Sequence, residues 1–204
     1  MKTGANIRRR ADGRYEARYE KARDEKGRII YGYCYGRTYE EAEEKRAAIL
    51  RPVREMNLLI LGAGSYGVEV QELAQRLGVF RKIAFLDDDL SKTQVLGPYT
   101  DFETYVDEYP IAIPAIGDEQ IRMKWLARLE RAGFVLPVLI HPTAVVSQSA
   151  TIGYGTVVCA RATVGAGARV GKGCILESGA TVDRLGYLLD GAHIGCGQVV
   201  TAKA

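Results

Sequence analysis

Three features of the 204-residue sequence predict a multidomain α/β and β architecture. The first quarter alternates arginine and tyrosine in short runs, a glycine-rich turn joins an apolar run to a helical stretch, and a six-residue repeat continues to the C-terminal end. They divide the chain into a small β-β-β-α domain over residues 1–54, a Rossmann-like α/β domain over 56–142 and a left-handed parallel β-helix over 143–204. With 47% hydrophobic and 26% charged residues the composition is globular and excludes disorder and a collagen-like repeat. The longest apolar stretches, Leu58 to Leu61 and Phe134 to Ile140, fall far short of the ~20 residues that cross a bilayer. Arginines stand where a signal peptide needs an apolar core, so a cytoplasmic protein is expected. Cys34, Cys159, Cys174 and Cys196 show no C-x-x-C spacing, and with only His141 and His193 beside them no metal site is expected.

Residues 1–55 hold 15 Lys/Arg against 10 Asp/Glu and half of the twelve tyrosines, and a boundary is expected near Arg51-Pro52. Ile7 to Arg10 and Tyr15 to Glu20 read as two strands joined by a turn at Ala11-Asp12-Gly13-Arg14. After a second turn at Asp24 to Gly27, a third strand runs from about Ile29 to Arg37, and Thr38 with Glu41 forms a capping box for a helix through Leu50. Strand parity places Tyr15, Ala17 and Tyr19 beneath that helix and Arg14, Glu16, Arg18 and Glu20 on the opposite face. A basic sheet face is either simply solvated or a groove for nucleic acid, since a small sheet can enter the major groove with arginines on phosphates or guanine edges.

Met56 to Leu61 is a buried-strand pattern, and Gly62-Ala63-Gly64-Ser65-Tyr66-Gly67 opens a helical stretch to Leu77. Such a turn is either only tight or brings backbone N–H groups to a phosphate at a helix N-terminus. A second strand, Ile83 to Leu86, ends in Asp87-Asp88-Asp89, whose carboxylates could accept ribose hydroxyls, and this distal acid favours the phosphate reading. Ile111 to Ile116 and Leu136 to Ile140 read as third and fourth strands, with a helix from about Asp118 to Ala132 whose Trp125, Leu126 and Leu129 are expected in the core. So short a domain suits a mononucleotide or nucleotide-sugar better than NAD. His141, before Pro142, reads as a linker residue bonded to nearby backbone.

From Val146 in steps of six come Val146, Ile152, Val158, Val164, Val170, Leu176, Val182, Leu188, Ile194 and Val200. Four residues after each lies a side chain that is nearly always small, Ala150, Thr156, Ala162, Ala168, Cys174 and Ala180 among them. This is the hexapeptide repeat of a β-helix: an aliphatic fills the interior of each short strand, a small residue fits the corner, and three hexads make one triangular turn.

Two resemblances add to this reading. Ile7 to Arg18, with Tyr35-Gly36-Arg37-Thr38 and Glu40-Glu41-Ala42, resembles the arm-type (AP2-like) DNA-binding domain of phage and transposon tyrosine integrases. That implies DNA contacts from Arg8, Arg10, Arg14 and Arg18, without recombinase activity, because no integrase catalytic domain follows. Residues 56–204, through Phe85-Leu86-Asp87-Asp88, Ile116-Gly117-Asp118, Ile121-Arg122, Leu139-Ile140-His141-Pro142 and the hexads, resemble the NeuD/PglD-type sugar acetyltransferases. The resemblance implies a homotrimer using acetyl-CoA as acyl donor, a nucleotide-sugar held by Gly62, Gly64, Ser65, Tyr66, Asp87, Asp88 and Gly117, no metal, and a histidine as general base. Tyr66 stands where many members carry histidine. The family's base segment falls on Asp183-Arg184-Leu185, and a permanently protonated Arg184 accepts no proton. His193 matches a second family histidine, either a substitute base or a residue that positions ligand. Arg184 and the family's further C-terminal turns, missing here, predict an impaired or inactive acetyltransferase. The alternative is a non-catalytic fusion that binds DNA and a sugar nucleotide, or a fusion arising before a natural start at Met56.

Overall fold

A computed structural model describes residues 6–23, 28–50 and 56–202, and the chain forms two compact units, Met1–Arg54 and Glu55–Ala204. The expected turn at Asp24 to Gly27 and the Arg51-Pro52 step lie outside the described residues. In the first unit β1 (Ile7–Arg9), β2 (Tyr15–Arg23) and β3 (Ile29–Gly36) form an antiparallel sheet in that order, and α1 (Tyr39–Leu50) follows. Gly13, at φ +84°, supplies the left-handed residue that closes the first hairpin. Thr38 Oγ1 accepts from Glu41 N at 3.1 Å, while the Glu41 carboxylate reaches back past the cap to Arg37 N at 2.6 Å. Ile7, Ala17 and Ala42 make the small core under the helix, with Tyr15 and Cys34 packed on it.

On the opposite face the structure departs from the pattern in one place. Glu16, expected among solvated charges, is buried. Arg8 donates to one of its oxygens at 2.8 Å and Arg10 to the other at 2.5 Å. Burial works to raise the Glu16 pKa, but these two guanidinium groups outweigh it and hold the carboxylate below its ordinary range.

The second unit opens with a parallel sheet of β4 (Leu58–Leu61), β5 (Ile83–Leu86), β6 (Val95–Gly97) and β7 (Ile111–Pro114), in the order β6-β5-β4-β7. The helices α2 (Ser65–Leu77) and α3 (Glu119–Arg131) complete the α/β part. Asp118 caps α3 through Ile121 N at 2.8 Å. Of the expected core residues on α3, Leu126 and Leu129 are buried, whereas Trp125 is half-buried against Tyr99 and Phe102.

The expected fourth strand at Leu136 to Ile140 is not part of this sheet. Val135 makes a single bridge to Ile111, and Leu139–Ile140 pairs instead with Val157–Val158. It is β8, the first of eleven two-residue strands that end at β18 (Val199–Val200). The sheet's fourth place is taken by β6, a three-residue strand too short to leave a pattern in the sequence. Ile140 continues the six-residue register one step before Val146, so the repeat begins earlier than 143.

The strands of the β-helix stack in three parallel sheets with an 18-residue offset, as in Thr151↔Arg169 and Val158↔Leu176. Val158, Val164, Val170, Leu176, Val182 and Leu188 fill the interior together with Ala162, Ala168, Cys174 and Ala180. The architecture is thus the left-handed β-helix that the hexads predict. The α/β part shares its core with it: Leu139, Val157 and Cys159 belong to one apolar cluster with Leu58, Ile60, Val70 and Leu73.

One row of glycines seats α3. Gly155, Gly173 and Gly191, 18 residues apart, all have positive φ, and a Cβ on any of them would collide with Leu126, Met123 or Glu119. Between these contacts the buried Arg122 donates to Gly173 O at 2.8 Å and to Gly191 O, and also to Ile116 O and Gly117 O at 2.8 and 2.7 Å. Burial lowers the pKa of this guanidinium, and four carbonyls rather than a carboxylate hold it.

Candidate active site

Six of the seven residues expected to hold a nucleotide-sugar gather at the carboxyl edge of the parallel sheet, where open α/β sheets bind ligands. Gly62 follows β4 with φ +108°, and a Cβ there would stand 2.7 Å from Ala115 O. Gly67 lies against Gly62 O so closely that only glycine fits. Gly64 and Ser65 are exposed at the start of α2, where Gly64 offers no side-chain cap to the first N–H groups. Gly117 is exposed after β7, with open space where a side chain would be.

Asp87 also has a structural role. One of its oxygens accepts from Ala63 N at 2.7 Å, and the other from Asp89 N at 2.9 Å and Lys92 Nζ at 3.0 Å. Three of the roughly four hydrogen bonds that a carboxylate can accept are thus used to tie the glycine loop to the end of β5 and to hold Lys92. Burial pushes its pKa up, but those bonds from Ala63, Asp89 and Lys92 overcome burial and hold it below the usual carboxylate range. Asp88 is exposed and accepts from Tyr99 N at 3.3 Å.

Tyr99 itself belongs to this edge, and the sequence reading missed it. Its hydroxyl lies beside the Gly62 turn, its ring lies 5.5 Å from that of Trp125 at a 36° tilt, and burial, then the charges of Asp87 and Asp88, push its phenol up to about 12. It sits in a short 3-10 segment, Tyr99–Tyr105, that carries no periodic signal.

Tyr66 points elsewhere. Its ring packs on the shared core, and its buried hydroxyl has no hydrogen-bond partner among the described residues. Burial raises its pKa, followed by the influence of Cys159, with Arg122 opposing and Glu69 and Glu177 also felt. The residue therefore stands at the seam between the glycine loop and the β-helix.

On the β-helix, His193 Nε2 and Glu177 Oε1 are 2.8 Å apart. Glu177 Oε2 accepts from Cys196 N at 2.9 Å and from the Cys196 thiol at 3.1 Å. Those contacts, the Cys196 thiol first and His193 next, hold the Glu177 carboxylate below its usual range, while the same bond raises the Cys196 pKa. Arg184 is exposed at a different corner, on the turn between β15 (Thr181–Val182) and β16 (Tyr187–Leu188), so one chain does not bring it to His193. His141, expected in a linker, instead follows β8 within the β-helix: its N–H donates to Val158 O at 2.8 Å, and its Nδ1 lies 2.8 Å from Thr143 Oγ1 and 3.1 Å from Thr143 N.

In the first unit the four arginines expected to meet DNA share the open sheet face with Tyr31, Tyr33 and Tyr35. Arg18 lies 4.4 Å over the Tyr31 ring, and Arg10 and Arg14 lie 5.5 and 5.7 Å over Tyr35.

Known proteins fit this geometry. The PglD N-terminal domain family matches residues 57–129. Over 112 residues the chain is 37% identical to UDP-N-acetylbacillosamine N-acetyltransferase of Bacillus subtilis (strain 168), across 51% of each chain, so it spans about half the length of that curated relative. The acetyltransferase domain of PglB from Neisseria gonorrhoeae FA1090, solved in complex with acetyl coenzyme A, is 38% identical with a TM-score of 0.63, covering 68% of this chain and 70% of that one. WeeI from Acinetobacter baumannii AYE shares the fold, with a TM-score of 0.61 at 23% identity over 68% of each chain. With a glycine-loop sheet set on a hexad β-helix and more than two thirds of the gonococcal domain matched, the chain belongs to the PglD-type acetyltransferase family.

Proposed function

We propose that the chain transfers an acetyl group from acetyl-CoA to an amine or hydroxyl of a nucleotide-linked sugar. The observation that carries this reading is the 38% identity to an acetyltransferase domain bound to acetyl coenzyme A. The sugar nucleotide sits at the carboxyl edge of the sheet, its phosphates on the N–H groups of Gly64 and Ser65 and its sugar toward the β-helix side, where Tyr66 packs. Transfer requires a base to take the proton of the attacking amine or hydroxyl. The freed lone pair attacks the thioester carbonyl, the C–S bond breaks, and the CoA thiolate leaves and is protonated. Arg184 cannot be that base, and His193 is the residue assigned to it. A homotrimer fits the exposed Tyr187, Leu189 and Val199 on the outside of the β-helix. A cytoplasmic setting fits four free cysteines. The test is release of free CoA thiol from acetyl-CoA with a panel of UDP-amino and hydroxy sugars. Release that needs the sugar supports the reading, and no release with any sugar refutes it.

A second reading covers the first unit. The face carrying Arg8, Arg10, Arg14 and Arg18 among three exposed tyrosines suits the phosphates and base edges of DNA. Retention of duplex DNA by the full chain should weaken with salt, and Arg14→Ala and Arg18→Ala should each reduce the salt slope by about one. No retention at low salt would end that reading.

A further inference from the structure

We infer that Glu177 is a positioning residue that locks His193 in one tautomer, with Nε2–H held by the carboxylate and Nδ1 presented as the proton acceptor. This rests on the acetyl-transfer reading and names the residue that makes the second family histidine usable where Arg184 is not.

Both oxygens of Glu177 are held, Oε1 by His193 Nε2 and Oε2 by the Cys196 N–H and thiol. An ionised carboxylate only accepts hydrogen bonds, so at the 2.8 Å contact the imidazole must be the donor. A neutral imidazole that donates from Nε2 keeps its lone pair on Nδ1. Among the described residues Nδ1 of His193 has no hydrogen-bond partner, and the side chain is 40% exposed, so that lone pair is open to a substrate.

Elimination supports the same residue. The chain has two histidines. Among the described residues His141 has no carboxylate hydrogen-bonded to it: its Nδ1 lies 2.8 Å from Thr143 Oγ1 and 3.1 Å from Thr143 N. The Cys196 thiol donates to Glu177, which raises its pKa, so it is the carboxylate's donor and not the proton acceptor. Of the two, His193 is the imidazole whose tautomer a carboxylate fixes, and Glu177 decides which of its nitrogens is left to take a proton.

The pairing follows from the coil. Ile175 and His193 are register partners in neighbouring strands, and Glu177 lies two residues beyond Ile175, where its backbone N–H donates to Ile194 O at 2.9 Å. The carboxylate is thus anchored by its own backbone on the rung beside the histidine.

The test uses the full chain with 15N-labelled histidine, whose two imidazoles give two readily separated sets of ring signals. Long-range 1H–15N correlation of the neutral rings should show His193 with a protonated Nε2 and an unprotonated Nδ1. In Glu177→Gln, whose amide can donate or accept, the His193 signals should move toward a mixture of tautomers. Turnover should fall at least about tenfold with the KM for acetyl-CoA unchanged. Glu177→Asp should restore the single tautomer and part of the turnover. A His193 protonated on Nδ1 in the unaltered chain overturns the inference, as does a Glu177→Gln variant with mixed tautomers and undiminished turnover. An unaltered chain that transfers no acetyl group refutes the reaction, and the tautomer then still decides the pairing.

Discussion

Replacing Leu185 with glycine should stabilise the protein. Corners of the β-helix at 155, 161, 167, 173, 179, 185, 191 and 197 all have positive φ, and six of these eight positions are glycine. Leu185, at φ +57°, is one of the two exceptions, and a branched side chain in the left-handed region costs about 1–2 kcal/mol. Glycine returns about 0.5–1 kcal/mol of that through the greater freedom it loses on folding. Leu185 is 69% exposed and leans mainly on the Gly167 corner, so little burial is forfeited. The balance favours Leu185→Gly by about 0.5–1 kcal/mol, or about 1–4 °C in Tm for a unit of this size. Gly179→Ala is the reverse experiment. Its Cβ would stand 3.8 Å from Gly197 N, an ordinary contact, so only the same backbone balance remains and Tm should drop by about 1–4 °C. Calorimetry of both variants at two protein concentrations tests the reasoning. A lower Tm for Leu185→Gly, or an unchanged one for Gly179→Ala, refutes it, and a concentration-dependent fall for the first would show Leu185 buried between chains.

Arg122→Met removes the donors of Gly173 O and Gly191 O while keeping the apolar stem, and urea unfolding should show a loss of about 2–6 kcal/mol. Asp87→Asn should destabilise the chain at neutral pH. Since the folded pKa of Asp87 lies below its unfolded value, its contribution is full above the ordinary carboxylate range and disappears as pH falls through the folded pKa. The difference between Asp87→Asn and the unaltered chain should therefore shrink in acid, and a constant difference would contradict the assignment. Burial, reinforced by Glu69, pushes the Cys159 thiol up to about 12, so iodoacetamide at pH 8 should label exposed Cys196 well before it, as read by peptide mass.

The interior of the β-helix was legible because its signal is local and repeated: one aliphatic and one small residue per hexad, with no long-range decision needed. Its start was hidden because Phe134 to Ile140 is a continuous apolar run, and such a run does not say which sheet it joins. The glycine loop was legible from its strand and helix context. The role of Asp87 was not, because spacing places an acid at the end of β5 without revealing that Ala63 N is its nearest donor. Tyr99 reaches the site only through tertiary packing. Glu177 had a signal that hexads alone do not display. Laid out on an 18-residue coil, residues 16 apart fall two positions off one rung, which places Glu177 beside His193.

Tyr66 links the two halves of the candidate site. Its ring is part of the core that joins the α/β part to the β-helix, and its hydroxyl has no partner among the described residues although the atom is buried. Leaving a buried hydroxyl unsatisfied costs about 1–3 kcal/mol, which the sequence avoids nearly everywhere else in this unit. Tyr66→Phe keeps the ring and deletes the orphan, so the variant should be more stable to urea by up to that amount. A hydroxyl retained only for packing would leave acetyl transfer unchanged. If the group instead serves the reacting sugar, between the Gly62–Gly67 turn and the Glu177–His193 pair, the stabilised variant should lose turnover. Lower stability in Tyr66→Phe would refute the premise, because it would mean that the hydroxyl already has a partner. A stability gain together with a loss of turnover would place the tyrosine among residues held at a cost for chemistry.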